Sequence, residues 1–170
     1  IKANPLRIKE WDYYLVMNGQ FGLALTIADN SYMGLDSFSL LNFWEQTQIT
    51  RSIVRLMPMG SIGMPSSSAV GDCASGRKGH SLLFRKEEDR RLLYAHMEHF
   101  RGREPLDAYI ELTQEPEESM VICTPFDKPG HFYLNQKINC LRASGKVTVG
   151  EDEYMLDPAD SFGVLDWGRG

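Results

Sequence analysis

The chain has 170 residues, 42% of them hydrophobic and 24% charged, with a formal net charge of −5. That length buries a sizeable core in one domain, and no apolar run is long enough to cross a membrane as a helix. The acidic balance argues against a surface that tracks phosphates, so nucleic acid is not an expected partner. Cys73, Cys123 and Cys140 are odd in number and widely spaced. They fit neither a disulfide framework nor a zinc ribbon. Free thiols in a reducing compartment are expected, with Cys123 and Cys140 buried in strands and the cytoplasm as the default location. The chain begins at Ile1 rather than Met, so residues are expected upstream.

Leu6–Met17 and Phe21–Asp29 flank Asn18-Gly19, a strong hairpin signal because both residues adopt positive φ cheaply. A two-residue turn would set Met17 opposite Gln20, Tyr14 opposite Leu23, Asp12 opposite Leu25 and Glu10 opposite Ile27. One face then carries Tyr14, Val16, Phe21, Leu23, Leu25 and Ile27, with Glu10 and Asp12 among them. The other stacks Trp11, Tyr13 and Leu15 over Gly22, Ala24 and Thr26. A sheet apolar on both sides expects a core on one and a covering partner on the other.

Two further strands are read at 38–43 and 48–57. Pro58 opens a Gly-, Ser- and Pro-rich stretch to Gly79 that reads as a flexible surface loop with at most one weak strand. The alternative is a lid, with Met57, Met59 and Met64 as adaptable contacts. Strands at 80–86 and 90–100 form the next hairpin, against a competing helix over 87–101. Strands follow at 108–113, 120–124, 132–140, 146–149, 153–156 and 162–167. About eleven short strands with frequent turns predict an all-β antiparallel barrel or sandwich.

Phe132, Leu134, Ile138 and Cys140 share one face of a strand and Tyr133, Asn135, Lys137 and Asn139 the other. The polar face is either wet or the polar wall of a binding cavity. In Asp166-Trp167-Gly168-Arg169-Gly170, an Asp166–Arg169 pair beside the indole either closes one end of a barrel or places an acid in a pocket. Glu10 and Asp12 fall on a greasy face. They either turn outward at a β-bulge or point inward, where an acid in apolar surroundings suits protonation of a carbon–carbon double bond. No metal-binding, hydrolase or nucleotide motif is present, so no metal or cofactor is expected.

R-I-K-E-W-D-Y-Y at 7–14, N-Q-K-I-N-C-L-R-A-S-G-K-V-T-V-G at 135–150 and S-F-G-V-L-D-W-G-R-G at 161–170 resemble a bacterial family known as domain of unknown function 2804. The resemblance is close over 7–30 and 119–170 and thin over 58–79. It is distantly similar to the carotenoid hydratases and AttH-like proteins, and implies a lipocalin-like (calycin-type) barrel forming the first half of a two-barrel protein. Residues 1–170 would be that barrel, with the second domain lying beyond it. The resemblance also implies a largely apolar ligand, lipid or isoprenoid in type.

Tyr14, Leu23, Leu25, Lys137, Trp167 and Arg169 are the candidate lining of an interior hollow. The alternative is an enzyme, an acid-assisted hydratase, isomerase or cyclase on a polyene. Asp166 or Asp12 would then be the proton donor, with Tyr14 and Trp167 stabilising a developing cation. A further alternative is an interaction module. The expected partners are an apolar small molecule, and the protein's own second domain or another chain on the apolar outer face of the 6–29 hairpin.

Overall fold

The computed structural model describes residues 3–170. A short 3₁₀ turn at Pro5–Arg7 leads into twelve strands that join one antiparallel sheet. They are β1 (Glu10–Met17), β2 (Phe21–Asp29), β3 (Met33–Asn42), β4 (Thr47–Leu56), β5 (Cys73–Arg77), β6 (His80–Lys86), β7 (Arg91–Arg101), β8 (Glu104–Thr113), β9 (Met120–Pro125), β10 (Phe132–Val149), β11 (Asp152–Leu156) and β12 (Phe162–Arg169). The order across the sheet is β4-β3-β2-β1-β12-β10-β8-β7-β6-β5, and β9 and β11 pair with the two ends of the long β10. The all-β antiparallel barrel expected from the strand pattern is present. The helix considered over 87–101 is the strand β7 instead.

The β1–β2 hairpin differs from expectation in its turn. Asn18 Oδ1 accepts from the amides of Gln20 and Phe21, and Asn18 N donates to Phe21 O. The turn is centred on Gly19-Gln20 rather than Asn18-Gly19, so Met17 pairs with Gly22, Tyr14 with Leu25 and Asp12 with Ile27. A register shift of two keeps every side chain on its face. Tyr14, Val16, Phe21, Leu23, Leu25 and Ile27 are therefore inside, as the alternation demanded.

The sheet curls until its two ends, β4 and β5, come together, but no backbone ladder joins them among the described residues. Side chains form the seam. Asp36 Oδ2 on β3 accepts from Arg55 of β4 at 3.0 Å, Ser75 of β5 at 2.8 Å and His80 of β6 at 2.8 Å. Nearby, Arg51 of β4 donates to Phe100 O at 3.0 Å.

Inside lies a packed apolar core. Ile27, Phe38, Leu93, Phe100, Leu106, Ile110, Leu112 and Leu165 have no exposed surface, so no water-sized void touches them. Tyr14, Leu23 and Leu25 belong to the same buried cluster. Burial of such a core at roughly 25 cal/mol per Å² of apolar surface is what holds the curl.

The cysteines reverse the expectation. Cys73 is buried, whereas Cys123 and Cys140 are exposed. Cys140 lies at positive φ in a bulge between Ile138 and Leu141, which turns it away from the core face. Cys123 sits on β9, which among the described residues pairs with β10 alone.

Candidate functional site

One end of the barrel carries a buried polar cluster. Asp12 lies directly opposite Trp167 in the β1–β12 ladder, so carboxylate and indole share the inner face. Arg169, two residues on, joins them there. Its Nη2 donates to Asp12 Oδ1 at 2.8 Å, its Nη1 donates to the carbonyls of Trp11 and Gly168, and its guanidinium carbon stands 4.6 Å over the Trp167 ring. Glu10 Oε1 is 3.8 Å from Arg169 Nε. Asp12 is 7% exposed, Arg169 3% and Trp167 4%. Arg91 at the start of β7, 2% exposed, makes a bidentate pair with Glu115 and approaches the Tyr14 hydroxyl at 3.4 Å. Lys86 Nζ is 3.7 Å from the same Glu115.

The segment 57–72 lies across this end. Met59 N donates to Ser31 O and Gly60 N to Asp29 Oδ2 on the β2–β3 side. The Pro65 carbonyl then accepts from Arg169 Nε at 2.9 Å. Farther on, the Ser68 carbonyl accepts from Arg91 Nη1 at 2.8 Å, while Ser68 Oγ donates to Gln136. Met64 is buried in the core, and Ile62 packs against it. Residues that read as a plain Gly/Ser loop are thus a cap, plugged by a methionine and fixed by two guanidiniums. A surface depression lined by Ala69, Lys86, Thr113 and Glu115 opens beside its far end.

Burial pushes the Asp12 carboxyl above its ordinary value, with Arg169 and Arg91 opposing the rise. It raises Glu10 in the same way, against Arg169. The Tyr14 hydroxyl and the Cys73 thiol are also driven up by burial, so both stay neutral at ordinary pH. The Trp167 indole N–H is buried and has no partner. A bare donor in such a place normally has an acceptor waiting for it.

Asp166 belongs elsewhere. Three residues apart in one strand means opposite faces, so it does not pair with Arg169 as expected. It faces outward and accepts from Trp11 Nε1 at 3.3 Å, Asn135 Nδ2 at 2.5 Å and Lys137 Nζ. Burial alone would raise its carboxyl, but the hydrogen bonds from Lys137, Asn135 and Trp11 outweigh that and hold it below its ordinary range. Lys137 is therefore on the outer face with Asp166, away from Tyr14, Leu23, Leu25, Trp167 and Arg169 inside. Sequence reasoning missed Arg91, Glu115 and Gln136. An arginine opening an apolar strand was the available sign of the first, whereas the loop carbonyls that complete the cluster carry no sequence signal.

The family model for a domain of unknown function (DUF2804) matches residues 1–170, and the chain belongs to that family. No protein of curated function matches it in sequence. Among solved structures, a Nitrosomonas europaea protein assigned as an AttH is similar over 99% of this chain and 52% of its own, at 11% identity and a TM-score of 0.58. Kievitone hydratase of Nectria haematococca is similar over 94% of this chain and 47% of its own, at 13% identity and a TM-score of 0.48. The first likeness establishes a lipocalin-like barrel fold. The chain spans about half the length of either structure. No helix among the described residues is long and apolar enough to cross a membrane.

Proposed function

We propose that this domain binds an apolar small molecule, lipid or isoprenoid in type, at the end of the barrel capped by residues 57–72. The observation that supports it is the cap itself. Met64 and Ile62 fill the mouth with two apolar side chains, and the cap's polar ties run through Pro65 O, Ser68 and Gly60 N rather than through strand pairing. Withdrawal of the cap frees apolar volume beside the buried Asp12–Arg169–Trp167 cluster. A mostly apolar pocket with a few fixed polar groups is the usual form of a small-molecule site. Native mass spectrometry of the full-length protein purified from its own host tests this. A co-purified lipophile supports it, and a protein that leaves its host empty and takes up no added lipophile defeats it.

A second reading is favoured by Asp12. A carboxyl raised by burial, opposite an indole and beside Tyr14, suits acid-assisted hydration, isomerisation or cyclisation of a polyene. Asp12 takes the proton-donor role in this reading, because Asp166 is held ionised on the outer face. Asp12→Asn and Asp166→Asn in the full-length protein discriminate. Lost turnover with ligand affinity kept in the Asp12 variant supports chemistry, and unchanged turnover in both removes it.

The half-buried outer face of β1 and β2 around Trp11, Tyr13 and Leu15 is assigned to the second domain or a partner chain. Three free thiols fit a reducing, cytoplasmic setting.

A further inference from the structure

We infer that the ligand of the capped mouth carries a neutral hydrogen-bond acceptor, a carbonyl or ether oxygen, on an otherwise apolar frame. The inference rests on the binding reading above and adds the chemistry of the head group. Each buried guanidinium already has its charge matched by a carboxylate, Arg169 by Asp12 at 2.8 Å and Arg91 by Glu115 at 2.9 Å. Lys86 and Glu10 bring one further charge of each sign to the cluster. The sum over Lys86, Arg91, Arg169, Glu10, Asp12 and Glu115 is zero. An added carboxylate would enter this cluster as an uncompensated charge taken out of water, which is costly.

The donors left over point at neutral oxygens. Arg169 Nε is held by the Pro65 carbonyl and Arg91 Nη1 by the Ser68 carbonyl, both from the cap. When the cap lifts, Arg169 Nε keeps only the Glu10 carboxylate at 3.8 Å and Arg91 Nη1 only the Tyr14 hydroxyl at 3.4 Å, and the Trp167 indole N–H has no acceptor in either state. Three buried donors at an electroneutral site call for an uncharged acceptor, a carbonyl like the two the cap withdraws. The cap's amide carbonyls stand in for the ligand's oxygen in the closed state. Release of the cap and capture of the ligand are thus one exchange of acceptors, in which few buried donors stay unpaired.

Three chain-matched probes test this on the full-length protein, by displacement of Nile red at pH 7.5. They are hexadecane, hexadecan-2-one and hexadecanoate. The ketone is expected to bind about tenfold more tightly than either of the others, the worth of one or two net hydrogen bonds. Deuterium exchange across 59–71 should rise when the ketone saturates the site. Trp167→Phe should shrink the ketone's advantage over hexadecane to about threefold or less, whatever it does to the affinity for both. Equal affinity for all three probes, or a preference for hexadecanoate, overturns the head-group inference while leaving apolar binding intact. So does unchanged exchange in the cap. Failure of all three to bind overturns both. The wild-type comparison decides the matter even if the tryptophan variant does not fold.

Discussion

Arg169 reaches Asp12 at 2.8 Å, and the same guanidinium holds the Pro65 carbonyl of the cap at 2.9 Å. The last strand is in this way tied both to the first strand and to the segment lying over the barrel mouth. A planar fork can serve both acceptors at once, whereas an ammonium is a point donor. Arg169→Lys should therefore keep the charge opposite Asp12 and give up the cap. Deuterium exchange across 59–71 should accelerate by about five- to tenfold, as expected for one lost hydrogen bond of roughly 1 kcal/mol. Exchange in β7 and β8 should change much less. Equal acceleration everywhere would mean that the bond supports the whole barrel rather than its cap.

Asp12 has an unusual stability signature. Its folded carboxyl is raised above the unfolded value, so the native state holds the proton more tightly. Stability then falls as pH rises from the ordinary carboxylate range through the raised value, and stays lower above it. Asp12→Asn mimics the protonated form and should remove this decline. Arg169 is not stranded by the change, because it retains the carbonyls of Trp11, Gly168 and Pro65 and the Glu10 carboxylate at 3.8 Å. Urea unfolding between pH 3 and 8 should find the variant at least as stable as the wild type at neutral pH. A loss of about 3 kcal/mol would instead mark Asp12 as a structural counter-charge.

Asp166 runs the other way. Its folded carboxyl is held low by Lys137, Asn135 and Trp11, so its contribution is present above the unfolded value and is lost as pH falls toward the depressed one. Asp166→Asn should cost about 1 kcal/mol at pH 7, a modest figure because the side chain is 28% exposed. The cost should shrink below pH 4. A cost that does not change with pH would show that the carboxylate's charge is not what these donors need.

Alternation made the inner face of β1 and β2 readable, and that held even though the turn set a different register. Two residues of slip preserve parity, so Asp12 stays on the greasy side, inward rather than turned out at a bulge, although its cross-strand partner differs. Arg169 was assigned to Asp166 because they are neighbours in the sequence. Strand parity over an odd spacing argues against that pairing, but only if β12 is known to run on to Arg169. The bulge at Cys140 was illegible for a similar reason. A residue inserted into a ladder has no signature in residue type when it is not glycine. The cap was hardest to read, since two of its main ties are main-chain carbonyls and its buried residues, Pro58 and Met64, lie in a stretch rich in Gly and Ser.

Gly168 is required by close approach. A Cβ built there would stand 2.1 Å from Trp11 Cζ2 and 2.2 Å from Cε2. The indole cannot slide easily, because its N–H is bonded to Asp166 and its ring packs 5.6 Å from that of Tyr133. Gly168→Ala should cost on the order of 3 kcal/mol, the upper range for overpacking. The change in tryptophan fluorescence should vanish in the Trp11→Phe background if the shift arises at that ring. A variant as stable as the wild type would mean that Trp11 has another rotamer open to it.

The seam between β4 and β5 is the last place where one atom carries a large share of the fold. Asp36 Oδ2 takes three donors from three different strands, and Asp36 Oδ1 is buried without a partner. Asp36→Ala removes the hub and leaves Arg55, Ser75 and His80 facing one another. The expected loss is about 3 kcal/mol, since a largely buried guanidinium and a buried histidine would lose their shared carboxylate. It should appear first as faster deuterium exchange in β4 and β5, the two ends of the sheet that lack a ladder between them. Arg85→Ala, which breaks the exposed pair with Asp72 at 3.1 Å, is the control and should cost under about 0.5 kcal/mol. If both substitutions cost the same, or if exchange rises evenly over all strands, the seam is held by apolar packing around Phe38 and Phe84 and the polar hub adds nothing of its own.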